Sequence, residues 1–260
     1  MFLDLSGNNF ASTVPTQIGL LTQLEHFNLR DNQFYNDFPP QVGFLKNLTY
    51  FDISNNRIVS RDSNGYLPLE LTNLTKLQFL DAAGNGISGF VNFFQCHENN
   101  NQACREFSQL LPPDYSLPSD LGRLTLLTLL DLSDNEIQSN LPVSLLEKLT
   151  NLESFILVEN SLFGSIPSEF GLLTKLTHAD LGENDFTSPP PEDLSKLTPL
   201  NFLNLQSNDT AGIINCSMYP NISLQVDCDQ LQCSGDCNCS HLDGNLLTYC
   251  PAFYSNSTDG

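Results

Sequence analysis

Four histidines, His26, His97, His178 and His241, are the first places to look for proton transfer in this 260-residue chain. None stands in an H-E-x-x-H frame or beside a nucleophile elbow, and no P-loop or dinucleotide-type glycine pattern occurs. The sharpest metal candidate is Cys233-x3-Cys237-x-Cys239-x-His241, whose thiolates and imidazole would suit zinc. A C-x-C pair crowds a tetrahedral site, however, and the cysteines as a set point to oxidation. Cys96, Cys104, Cys216, Cys228, Cys233, Cys237, Cys239 and Cys250 make an even eight, six of them within 35 residues. That density suggests a disulfide framework and an oxidising compartment. No resident metal, no cofactor and no catalysis are expected, and the chemistry left to explain is recognition.

The elements that would position recognition groups follow from a repeat. An asparagine returns at Asn8, Asn32, Asn56, Asn85, Asn135, Asn160, Asn184 and Asn208, with gaps of 24, 24, 29, 50, 25, 24 and 24. Each unit carries Leu-x-Leu before its asparagine, an alternation that makes a short strand with every second side chain inward. Stacked strands give a parallel sheet whose outward residues fall in columns. One column holds Phe2, His26, Tyr50, Phe79, Leu129, Ser154, His178 and Phe202; the next holds Asp4, Asn28, Asp52, Asp81, Asp131, Ile156, Asp180 and Asn204. Large rigid aromatics beside carboxylates are what a protein-binding face needs. The candidate ligand residues are therefore His26, Tyr50, Asp52, Phe79, Asp81, Asp131, His178 and Asp180. Asp134, Glu159 and Glu183 make the later units the more acidic part, and Arg30 is the basic side chain on this face. Strands about 4.8 Å apart would bring the aspartates into mutual repulsion, which a basic peptide or Ca²⁺ could offset; the peptide fits better. The alternative is that Leu-Asp-Leu is a scaffold feature and the aromatics simply cover the sheet.

The repeat runs L-x-x-L-x-L-x-x-N-x-φ-x-x-x-φ-P-x-x-φ-x-x-L, where φ is apolar. Leu24, Phe27, Leu29, Asn32, Phe34, Phe38, Pro39, Val42 and Leu45 fit it, and Gly164–Gly171 spells G-x-I-P-x-x-φ-G. These motifs resemble the leucine-rich repeat family, in its plant-type extracellular subclass. The expected fold is an α/β-type solenoid with about eight parallel strands on the concave face, extended and 3₁₀ structure on the convex face, and little regular helix. Proline supports the convex assignment by removing a donor and disfavouring helix just before it. The expected domains are a solenoid over 1–214, interrupted by an insertion at 92–116, and a Cys-rich cap and tail over 215–260. The tail resembles the Cys-rich ends of algal and diatom-type repeat proteins. Cys96 and Cys104 bracket a polar loop within the insertion; in receptor ectodomains that the chain resembles, such an island sometimes binds a ligand, whereas the plainer reading is a disulfide-pinned surface loop.

Ten Lys plus Arg against 30 Asp plus Glu give a formal net charge of −20, a poor match for nucleic acid or an anionic membrane. No apolar run of about 18 residues could span a bilayer. Seven N-x-Ser/Thr sequons, at Asn47, Asn73, Asn208, Asn215, Asn221, Asn238 and Asn256, add to the cysteines in suggesting a glycoprotein outside the cell or at its surface. The chain opens inside a repeat without a signal peptide, so it is expected to be part of a longer protein. The function expected is non-enzymatic recognition of a protein or peptide on the concave face, as the resemblance to receptor ectodomains implies. Two alternatives stand beside it: an acidic secreted matrix or adhesion protein, and an inhibitor of a secreted hydrolase.

Overall fold

The structure is a computed structural model that describes residues 1–58, 65–91, 117–215, 222–227 and 231–234. Its spine is a nine-stranded parallel sheet of three-residue strands. The strands are Phe2–Asp4, His26–Asn28, Tyr50–Asp52, Phe79–Asp81, Leu129–Asp131, Ser154–Ile156, His178–Asp180, Phe202–Asn204 and Ser223–Gln225, here numbered as units one to nine. Every pairing keeps one register: Phe2 lies opposite His26, His26 opposite Tyr50, and Tyr50 opposite Phe79. The central residue of each strand points into the solenoid, and Phe27, Phe51, Leu80, Leu130, Phe155, Ala179 and Leu203 are at most 1% exposed. The two flanking residues of each strand face outward, as alternation along a strand requires.

The ladder asparagines close each strand. The Asn56 Nδ2 donates to the carbonyls of Ile53 and Ser54 in its own unit and to Leu29 in the preceding one, all at 3.0–3.1 Å. Its Oδ1 accepts from the Phe34 N–H at 3.0 Å. A single amide thus satisfies backbone groups of two units that a non-repetitive turn would leave unpaired. The ladder crosses the long insertion without a break. Asn135 Nδ2 donates to the Ala82 carbonyl at 3.0 Å, and Ile87 N–H to Asn135 Oδ1 at 3.0 Å.

The convex side is built from 3₁₀ turns, as the proline pattern predicts. Thr16–Leu20, Pro40–Phe44, Leu69–Asn73, Ser119–Arg123, Ser168–Leu172 and Glu192–Lys196 each begin directly after a proline, and Val143–Leu146 is a single α-turn after Pro142. The prolines sit at φ between −73° and −66°, close to what the ring enforces. These turns stack on one another closely. At Gly43 a Cβ would lie 2.6 Å from the Glu70 carbonyl oxygen and 2.8 Å from the Glu70 Cβ. Gly43→Ala should therefore separate two turns at a cost of about 1–3 kcal/mol. Leu20→Ala, at a side chain 78% exposed, should change stability by less than about 0.5 kcal/mol. Urea unfolding of both variants checks the contrast, and equal midpoints would remove the close-packing argument.

Two features differ from the sequence expectation. The sheet has a ninth strand, Ser223–Gln225, in register with Phe202–Asn204, beyond Asn208, the last asparagine of the repeat. Leu224 is opposite Leu203, a spacing of 224 − 203 = 21 residues rather than the usual 24, and this shortened unit hid the repeat. Three small parallel sheets also run beside the main one: Gly65–Pro68 with Ile87–Val91, Phe163–Gly164 with Asp185–Phe186, and Gly212–Asn215 with Leu231–Ser234. The first anchors the segment from which the 92–116 insertion leaves. That insertion and Cys96, Cys104, Cys216, Cys228, Cys237, Cys239 and Cys250 lie outside the described residues; Cys233 lies in the strand Leu231–Ser234.

Candidate ligand-binding face

The outward column that starts each strand forms a stack of rings. Phe2 on His26, His26 on Tyr50, and Tyr50 on Phe79 have centroids 4.0, 4.1 and 4.2 Å apart and planes within 12° of parallel. The constant register of the strands produces this geometry, because each unit places its ring one strand spacing from the last. Leu129 and Ser154 then interrupt the stack, and His178 on Phe202 at 4.4 Å resumes it. His26, Tyr50, Phe79 and His178 are all half-buried on the solvent side of the sheet. The ring faces cover one another, so the stack offers its edges to solvent, and those edges carry the positive rim of the aromatic quadrupole. Burial lowers the His26 pKa, partly offset by Asp4 and Asp52. Burial also pushes the Tyr50 hydroxyl up to about 12, with Asp52 adding to the shift; its O–H donates to Asp52 Oδ2 at 3.1 Å.

The carboxylate column has a structural duty that the sequence did not reveal. In units one to five, seven and eight the side-chain Oδ1 accepts from the backbone N–H two residues on, closing an Asx turn at 2.8–3.2 Å. Asp4, Asn28, Asp52, Asp81, Asp131, Asp180 and Asn204 all do this, which explains why only Asp and Asn occupy these places. The Leu-Asp-Leu signal is thus in part a scaffold feature. Asp52 departs from the expectation of a ligand contact: it is 2% exposed and closed in by the Tyr50 hydroxyl and by Ser54, whose Oγ donates to Asp52 Oδ1 at 2.6 Å. Asp81, Asp131 and Asp180 remain half-exposed. Burial pushes the Asp81 carboxyl up to about 7, with Asp131 and Asp52 adding repulsion against relief from the Ala83 N–H and Arg30. Asp131 is raised for the same principal reason, against the lowering bonds from Ser133.

A third acidic row borders the face. Asp134, Glu159 and Glu183 are exposed in left-handed backbone conformations with φ of 50°, 57° and 50°. Gly84 takes the equivalent place in unit four at φ 62°, where a side chain would cost least to omit. The proximity of Glu183 is the main cause of a raised Glu159 pKa.

Sequence reasoning also missed unit six. Ile156 stands where the other seven of the first eight units carry Asp or Asn, and with Leu129, Ser154 and Val158 it makes a half-exposed, largely apolar patch. The departure is visible in the sequence as one aliphatic residue in a polar column, a signal that acquires meaning once the column's turn-closing role is known.

The sequons divide by side-chain role. Asn208 is a ladder residue, 5% exposed, with Nδ2 donating to the Leu181, Leu205 and Gln206 carbonyls. Its amide protons are committed inside the fold, which corrects its place among the glycan acceptors. Asn47 donates to the Thr22 carbonyl and accepts from Lys76 Nζ, and Asn73 is half-buried, its carbonyl accepting from Lys46 Nζ at 3.3 Å. Asn215 ends the strand Gly212–Asn215, and Asn221, Asn238 and Asn256 lie outside the described residues.

Known proteins resemble the chain in fold. The Leucine Rich Repeat family profile matches residues 47–74. The plant peptide hormone receptor RGFR1, solved in complex with RGF2, is 25% identical at a TM-score of 0.71, over 89% of this chain and 32% of that one. A TDR receptor is 28% identical at 0.71, over 88% and 34%. The ectodomain of the membrane receptor kinase GASSHO1/SCHENGEN3 from Arabidopsis thaliana, in complex with CASPARIAN STRIP INTEGRITY FACTOR 2, is 29% identical at 0.63, over 86% and 26%. The chain spans between 26% and 34% of the length of these receptors. No curated protein matches it by sequence. The fold is a leucine-rich repeat solenoid, and among the described residues no helix is long and apolar enough to cross a membrane.

Proposed function

We propose that the chain is a non-enzymatic recognition module of an extracellular or cell-surface protein, binding a protein or peptide on its concave face. The observation that carries this reading is the half-exposed stack of Phe2, His26, Tyr50 and Phe79, aromatic area that the solenoid core does not need. The aspartates beside it, Asp81, Asp131 and Asp180, supply charge to orient a cationic ligand. The complex of a similarly folded plant peptide hormone receptor, RGFR1, with RGF2 supports the reading.

The geometry favours peptide over sugar. Sugars stack on ring faces, and here those faces are spent on one another, leaving ring edges suited to apolar side chains. A peptide laid across the strands would meet successive ring edges about every 4.8 Å, with basic side chains directed to the aspartates. Ca²⁺ is a secondary occupant of the same acidic face. Cysteine-rich and glycosylated character, and the cap over 215–260, belong to the same proposal.

The test is capture from a matching extracellular extract by the folded, oxidised chain, with a Tyr50→Ala/Phe79→Ala/Asp81→Ala variant as comparison. A saturable partner, retained in EDTA and lost in the variant, is expected. Capture of many partners, EDTA-sensitive and indifferent to the variant, would instead establish the acidic matrix protein.

A further inference from the structure

In seven of the first eight units an Asp or Asn side chain occupies the backbone N–H that follows each strand. Unit six has no such cap, because Ile156 cannot accept a hydrogen bond. Among the described residues of those units, Val158 is the one whose N–H at this position has no acceptor, although its carbonyl is used by the Asp134 N–H at 2.9 Å. A backbone donor without a partner persists where solvent or a ligand can reach it, and Val158 is half-exposed on the sheet face.

The surroundings of this donor are chemically distinct from the rest of the face. The register sets Leu129 opposite Ser154, and Ile156 between Asp131 and Asp180. The small Ser154 stands between Leu129 and His178 in the column and carries no ring to continue the stack. Aliphatic surface from Leu129, Ile156 and Val158 therefore borders one free N–H, with Glu159 and Glu183 exposed alongside. Units five to seven together supply an apolar contact, one main-chain donor and a negative rim centred on unit six.

We propose that unit six is the specificity subsite of the concave face: it seats an aliphatic side chain of an extended basic peptide, and a main-chain carbonyl of that peptide accepts from the Val158 N–H. The occupant follows from complementarity. The donor calls for a carbonyl, the Leu129–Ile156–Val158 surface for a branched aliphatic side chain, and the carboxylates for Lys or Arg on either side. This assignment rests on the concave-face reading above and adds to it the residue that selects.

Ile156→Asn tests it in one substitution. The new side chain would close the same turn that Asn28 and Asn204 close in their units, so folding is preserved while the aliphatic contact and the free N–H disappear together. Random octapeptides displayed on beads are selected against the oxidised wild-type chain, Ile156→Asn, and Tyr50→Ala/Phe79→Ala. Wild type is expected to enrich peptides in which Leu, Ile or Val is flanked by Lys or Arg. Ile156→Asn should bind the best of them at least about tenfold more weakly, as should the wild type when the peptide's aliphatic residue is replaced by Ala. Peptides that bind wild type and Ile156→Asn equally but are lost in Tyr50→Ala/Phe79→Ala would overturn the subsite and leave the concave-face reading standing. Failure of all three chains to enrich peptides would overturn both.

Discussion

Asn184→Ala is expected to lower the free energy of unfolding by on the order of 3 kcal/mol. The residue is 6% exposed. Its Nδ2 donates to the Leu157, Leu181 and Gly182 carbonyls, and its Oδ1 accepts from the Leu162 N–H at 2.9 Å. Alanine removes all four bonds, and water cannot replace them in the tightly stacked turn, so buried backbone groups of two units lose their partners. Asn8→Ala provides the contrast. Asn8 makes the two bonds within its own unit, to Leu5 and Ser6, but is exposed, so its loss should cost under about 1 kcal/mol. Urea unfolding followed by far-ultraviolet circular dichroism measures both. In a solenoid each unit touches only its neighbours, so the Asn184 variant should also broaden the transition as units seven to nine separate from units one to six. Similar losses for the two variants would show that the ladder is not held by buried amides.

The ladder was legible in the sequence because one side chain type performs one task at a fixed interval, and the same holds for the inward Leu positions and the prolines before each 3₁₀ turn. Legibility failed where one residue type serves two ends. The aspartates of the second column were expected to face a ligand; their spacing could not show that Oδ1 closes a local turn, nor that Asp52 is sealed by Tyr50 and Ser54. It failed again where a period changed, as in the ninth strand, since Ile222, Leu224 and Val226 keep the inward alternation but arrive three residues early. The aromatic column was visible as a set of residues. Its behaviour as a face-to-face stack is a consequence of strand register, which emerges from the packing of whole units. The value of Ile156 lay in a comparison across units that needed the hydrogen bonds of the other seven.

Protonation of Asp81 on acidification should stabilise the fold, the reverse of an ordinary carboxylate, while the lowered pKa values of His26, Asp4 and Asp31 act in the opposite sense. Asp81 has its folded pKa raised to about 7 from an ordinary value of 3.8, by burial first and then by Asp131 and Asp52 on the adjacent strands, with the Ala83 N–H and Arg30 opposing. Between those two values the folded state holds a proton that the unfolded chain has released, so stability falls as pH rises from about 4 to about 7 and levels off above. Asp131 is shifted in the same direction, so the two effects add. Allowing for the partial exposure of Asp81, the change is on the order of 2 kcal/mol between pH 4.5 and pH 7.5. Asp81→Asn keeps an Oδ1 to accept from Ala83 and removes the charge. It should therefore raise stability at pH 7.5, leave it nearly unchanged at pH 4.5 and flatten the profile. Stability of the wild type that stays level or rises over this interval would mean that Asp81 is ionised in the fold, its charge already balanced. Deprotonation of Asp81 near neutrality also makes the concave face most negative there. A basic peptide seated on it should bind more tightly at pH 7.5 than at pH 5, so the charge that costs the fold stability serves the ligand.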